Sequence, residues 1–118
     1  MTAETRGVER KLRGGDPVRL ADDLLAIPVP GHTRGHTVLL YRDAILFTGD
    51  HLAWSPARAG LVAFRDACWY SWTEQIRSME RLLEFRFEWI FPGHGWWWRA
   101  PSAEAMRREL ERCIAWMR

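Results

Sequence analysis

The chain has 118 residues, 47% of them hydrophobic and 27% charged, with a formal net charge of +2. That length suits one small domain, the balance is that of a folded protein and not of a disordered tail, and basic residues spread without a dense block argue against a nucleic-acid surface. No window approaches a membrane span, and MTAETRGVERKLRGGD lacks the apolar core of a signal peptide, so a cytoplasmic protein with no membrane partner is expected.

Residues 1–16 are polar, run through Gly14-Gly15, and are expected to lack fixed order, leaving a domain over residues 17–118. Val18 to Ala21 alternates apolar and polar, Asp22-Asp23 signals a turn, and Leu24 to Val29 reads as a buried strand whose pairing Pro28 limits. Val38 to Tyr41, the tight turn Arg42-Asp43, and Ala44 to Thr48 read as a second hairpin. From Trp69 the residues Trp69, Trp72, Ile76, Met79, Leu82 and Leu83 recur at spacings of three and four, which predicts an amphipathic helix of roughly four to five turns. Phe87 to Phe91 alternates as a strand and enters the loop Pro92-Gly93-His94-Gly95. Ser102 suits a helix N-cap, and Met106, Leu110, Cys113, Ile114 and Met117 make the apolar stripe of a closing helix. The fold class is therefore α/β with α+β character: a mostly antiparallel or mixed sheet covered by two helices.

Cys68 and Cys113 form no CxxC pair and each falls in an apolar helical pattern, which reads as two buried free thiols in a reducing compartment. Eight tryptophans are a heavy load for this length. Trp96, Trp97 and Trp98 are consecutive and cannot all face inward, so at least one lines a cleft or a contact.

Three of the four histidines lie between Pro30 and His51. Gly31 and Gly35 make a helix unlikely around His32 and His36, so these rings are aimed from a loop at a strand end, as is Asp50 after Gly49. Imidazole and carboxylate are donors for zinc, iron or manganese, and three protein donors with an open position is the catalytic pattern. His36, Asp50 and His94 supply such a set; taken singly, each also reads as an ordinary hydrogen-bonded loop residue.

The segments PGHTRGH, LFTGDH and FPGHG, in that order, resemble the metallo-β-lactamase superfamily and specifically its glyoxalase II-like hydrolases. The resemblance runs from about Leu24 to Gly95. It implies an αββα sandwich with a two-metal centre at one edge. It also implies hydrolysis of an ester or thioester by metal-bound hydroxide on a small-molecule substrate. Matched by motif, the metal ligands are His36, Asp50 and His94, with Asp50 the bridging carboxylate and candidate catalytic residue. His32, His51 and Thr33 would support the site or touch substrate.

One departure matters. The HxHxDH signature of the superfamily is not in this sequence, where the first histidine is His32. The first metal would keep His36 and Asp50 and the second His94 and Asp50, which is below the three protein ligands of a catalytic zinc. The resemblance thus implies the C-terminal half of the fold, with the inner sheet face uncovered and seeking either a complementary N-terminal half or a second copy in a homodimer. The expected cofactor is zinc, one or two ions, with iron or manganese as alternatives and a metal-free chain as another. Beside the hydrolase reading stand a non-catalytic interaction module using the uncovered face and a mononuclear iron oxygenase of the same superfamily.

Overall fold

The computed structural model describes residues 15–65, 68 and 70–118; the expected polar segment lies outside them up to position 14, as does Trp69. In chain order the elements are β1 (Val18–Ala21), β2 (Leu24–Pro28), β3 (Thr37–Tyr41), β4 (Ile45–Gly49), β5 (Ala53–Ser55), β6 (Gly60–Val62), α1 (Trp72–Leu82), β7 (Trp89–Pro92), β8 (Trp98–Arg99) and α2 (Ala103–Met117). Six strands form one sheet in the order β1-β2-β3-β4-β7-β8, and β5-β6 is a separate hairpin. Only the β4–β7 pairing is parallel among the described strands, and α1 lies in the crossover between them. The expected mixed sheet with two helices is what the described residues form.

Alternation fixes the two faces of the sheet. The register sets Ile27 against Val38, Leu25 against Leu40, Leu40 against Leu46 and Leu46 against Ile90. Ile27, Val38, Leu40, Leu46 and Ile90 are buried beneath Met79 and Leu82 of α1 and Met106, Leu110 and Ile114 of α2. Each such side chain contributes roughly 1.5–3 kcal/mol on leaving water. The Trp72 indole N–H donates to the Met117 carbonyl at 3.0 Å and ties the two helices together.

The other face is built differently. Phe47 and Phe91 pair across β4 and β7 with ring centres 5.9 Å apart, and Phe91 stacks in turn on Trp89 at 5.7 Å and Trp97 at 6.1 Å. Phe47 remains 44% exposed and Trp97 55%. On this face, away from the helices, aromatic rings are left exposed to solvent.

The turn of the central hairpin puts both Arg42 (φ 53°) and Asp43 (φ 51°) in the left-handed region, the twist-matching geometry usually given to Asn-Gly. Arg42 is held there by its N–H to the Asp23 carbonyl at 2.8 Å and its Nε to the Asp23 carboxylate at 3.3 Å. Pro28 closes β2 just beyond the reach of β1, whose last partner on that side is Ala26.

Several expectations need correction. Helix α1 has 11 residues, shorter than the periodic run, because Ser71 caps it: the Ser71 hydroxyl accepts the Glu74 N–H at 3.1 Å. Ser102 caps α2 as predicted, accepting from Ala105. Cys68 is half-buried and outside any helix, its thiol donating to the Gly31 carbonyl at 3.0 Å. Cys113 is buried in α2, and burial pushes its thiol up to about 12. Strands β5, β6 and β8, of three, three and two residues, have no counterpart in the sequence reading. They are joined by tertiary contact: Trp54 of β5 donates its N–H to Trp96 at 3.0 Å and stacks on Trp98 of β8 at 4.2 Å. Among the described residues no helix is long and apolar enough to cross a membrane.

Candidate metal centre

Strands β2 and β4 run the same way with antiparallel β3 between them, and β7 is parallel to β4. The carboxyl ends of β2, β4 and β7 therefore share one sheet edge, the usual place for a site in an open sheet. The loops leaving them carry His32 and His36, Asp50 and His51, and His94.

The first loop is folded by its own backbone and clamped by α1. Thr33, exposed at its tip, accepts from the Gly31 N–H at 3.0 Å, and the His36 carbonyl accepts from Val29 at 2.8 Å to close the loop. Gly31, at φ 154°, lies so close to α1 that a Cβ there would stand 2.4 Å from the Gln75 Cβ. The Gly31 carbonyl accepts from Ser71 at 3.0 Å, and the Ser78 hydroxyl donates to the Pro30 carbonyl at 2.7 Å. Gln75 reaches the second loop, its amide donating to the His51 carbonyl at 3.1 Å. Gln75 and Ser78 thus position both loops, and sequence reasoning missed them. Their signal was an uncharged polar residue immediately before each of Ile76 and Met79 of the apolar stripe.

The second loop leaves β4 through Gly49 at φ 55°. The Thr48 carbonyl accepts both the His51 backbone N–H at 2.9 Å and the His36 Nε2 at 3.3 Å, while its hydroxyl donates to the Leu52 carbonyl. A carbonyl only accepts, so His36 carries its proton on Nε2 in this arrangement. The third loop docks through the Gly93 N–H on the Gly49 carbonyl at 2.8 Å and so delivers His94.

These contacts bring His32, His36 and His94 around Asp50. His94 Nδ1 lies 2.7 Å from Asp50 Oδ1 and His32 Nε2 lies 3.5 Å from Asp50 Oδ2. The His32 and His36 ring centres are 5.7 Å apart, edge to face. Side-chain exposure falls inward, from 84% for His94 to 40% for Asp50 and 13% for His32. Behind them His51 is fully buried, its ring centre 6.2 Å from that of His36. Both its ring nitrogens, and the Gln75 side-chain oxygen, lack partners among the described residues. His51 is closed off from solvent.

The electrostatics follow the packing. The hydrogen bond from His94 holds the Asp50 carboxyl below its ordinary value, helped by His32 and His36 and opposed by partial burial. Burial lowers His36, against the raising effect of the Thr48 contact. Full burial pushes His51 down to about 3, with His36 and His32 adding to the fall.

Two or three imidazoles around one carboxylate suit zinc, iron or manganese in kind and in convergence. Among the described residues, however, no group of three or more His, Cys, Asp or Glu side chains is placed to hold a metal ion.

Comparison with known proteins agrees with this architecture. No family model matches the sequence. The chain is 35% identical over 69 residues to the beta-lactamase-like protein 2 homolog of Drosophila melanogaster, covering 58% of this chain and 20% of that one. It is 34% identical over 108 residues to the uncharacterized protein YobT of Bacillus subtilis, covering 86% and 45%. The chain thus spans less than half the length of either relative. Among solved structures, an archaeal metallo-β-lactamase superfamily protein from Sulfolobus tokodaii shares 24% identity at a TM-score of 0.54, over 84% of this chain and 37% of that one. The metallo-β-lactamase TMB-1 shares 18% identity at a TM-score of 0.57, over 94% and 55%. A sheet of this order with its helices on one face is part of the metallo-β-lactamase fold, and that is the fold this chain carries.

Proposed function

We propose that this chain contributes part of the metal centre of a hydrolase acting on an ester or thioester, with His36, Asp50 and His94 as donors and the remaining donors supplied by polypeptide outside these 118 residues. The observation that carries this reading is that the loops leaving β2 and β7 set His32 and His94 against the carboxylate of Asp50, with the His36 ring 5.7 Å from that of His32. A divalent ion held there would supply Lewis acidity and a water more easily ionised than in bulk. The chain's own groups do the rest. Asp50 offers two oxygens on opposite sides, His94 orients the carboxylate from the solvent side, and burial keeps the His36 imidazole uncharged and able to donate a lone pair.

The test is metal retention. The reading predicts that zinc, iron or manganese raises the unfolding temperature of the purified chain, and that His36→Ala and His94→Ala each remove the effect. A chain that holds none of these metals, and whose stability is indifferent to both substitutions, would exclude it. A second reading, an interaction module without catalysis, is favoured by the exposed rings of Phe47 and Trp97 on the sheet face. It predicts partner binding that survives both histidine substitutions.

A further inference from the structure

We propose that the cleft between the β5–β6 hairpin and α2 binds inorganic phosphate, with Arg58 and Arg112 holding its oxygens and the Glu109 carboxylate accepting its O–H, so that sulfate is refused. None of these residues belongs to the three loops at the sheet edge, and the inference stands apart from the hydrolase reading.

The cleft is built from two elements. Residues 58–61 of the hairpin face Glu109, Arg112 and Cys113 of α2 across a space of about 80 Å³. That is well above the roughly 10–15 Å³ that one water needs. Glu109, Arg112, Cys113 and Trp116 recur at spacings of three and four, so they share one face of the helix. The hairpin tip is folded by its own backbone: the Arg58 N–H donates to the Ser55 hydroxyl and the Ala59 N–H to the Pro56 carbonyl, each at 3.3 Å. Ala59 takes φ 53°, the left-handed region, which is costly for a residue with a side chain. Strain of this kind collects at ligand clamps. With the tip folded this way Arg58 reaches α2, where its guanidinium lies over the Trp116 ring at 4.2 Å.

The charges select the ligand. Arg58 enters none of the ion pairs among the described residues. Arg112 donates from Nη1 to Glu109 Oε2 at 2.8 Å and keeps the rest of its fork free. Two guanidiniums reaching in from two elements suit a tetrahedral oxyanion better than a planar carboxylate, whose two oxygens a single fork satisfies. The Cys113 thiol between them is kept neutral by burial, with Arg58 and Glu109 acting on it in opposite senses, and so adds no charge against an anion. Glu109 then sets the specificity. Its side chain is only 18% exposed, and Oε1 faces the hairpin, 3.7 Å from where a Cβ on Gly60 would stand. A carboxylate oxygen only accepts. Hydrogen phosphate brings an O–H to it, whereas sulfate brings bare oxygens and sets two negative groups in contact. A phosphate monoester is a dianion above its second pKa of about 6 and lacks the O–H as well. The ligand is therefore free phosphate.

The experiment is calorimetric titration of the 118-residue chain with inorganic phosphate, sulfate and methyl phosphate, at pH 7.5 and fixed ionic strength, in EDTA so that no metal contributes. The expected result is one phosphate per chain, with sulfate and methyl phosphate weaker by about tenfold or more. Arg58→Gln and Arg112→Gln should each weaken phosphate by about tenfold or more. Glu109→Gln, whose amide can donate to any oxyanion, should erase the preference over sulfate. Urea midpoints check that each variant is folded. Should Glu109→Gln fail to fold, the wild-type comparison still decides. Equal affinity for phosphate and sulfate or for phosphate and methyl phosphate, phosphate binding unaffected by Arg58→Gln, or no saturable phosphate binding would each overturn the proposal.

Discussion

Acidification should expose the cost of the buried His51 ring. In the unfolded chain its pKa is the ordinary 6.5, while in the fold burial brings it to about 3. The folded value is depressed, so the stability from keeping this ring neutral is complete above pH 6.5 and is lost as pH falls toward 3. At pH 5 the unfolded imidazole is protonated and the folded one is not. Folding stability then drops, relative to pH 7.5, by 1.36 kcal/mol for each pH unit between 6.5 and 5, or about 2 kcal/mol. This figure needs only that the folded pKa lie well below 5. The assay is urea unfolding in EDTA at both pH values for the wild type and for His51→Leu. His36 is lowered in the same sense, but it is present in both proteins and cancels in the comparison. The wild type should lose about 2 kcal/mol more than the variant. At pH 7.5 His51→Leu should match or exceed it, because the variant removes two buried ring nitrogens that lack partners. Losses that agree between the two proteins to within about 0.5 kcal/mol would refute the reasoning.

Three further substitutions test the scaffold. Gly31→Ala forces a Cβ into the backbone of α1 at a φ that disfavours side chains, and should cost about 3 kcal/mol by chemical denaturation. Gly49→Ala places a Cβ 2.9 Å from His36 Cε1 at φ 55°, so it should cost about 1–2 kcal/mol, read as a lowered urea midpoint. Ser71→Ala removes the α1 cap for about 1 kcal/mol, read as a lowered urea midpoint.

The sequence made the periodic elements legible and left the contact-dependent ones hidden. The two hairpins, the strand before His94 and the capped closing helix follow from alternation, turn residues and Ser102, all local signals. Strands β5, β6 and β8 are too short for any period, and exist because Trp54 finds Trp96 and Trp98 across more than forty positions. At the site, motif order was enough to nominate His36, Asp50 and His94, because glycines beside each mark a strand end. What no spacing reveals is which oxygen of Asp50 each histidine faces, or that His51 points into the interior. Those depend on Gln75 and Ser78 of α1, which meet the loops only in three dimensions.

The stacked rings of Phe47, Trp89, Phe91 and Trp97 also determine how the protein responds to its solvent. Contacts made by an apolar face weaken on cooling and strengthen with excluded salts such as sulfate, while contacts between charges are screened by salt. Self-association of this chain through that face should therefore be least near 4 °C in dilute buffer. It should grow on warming to 25 °C or on adding ammonium sulfate, and diminish with Phe47→Lys or Trp97→Lys.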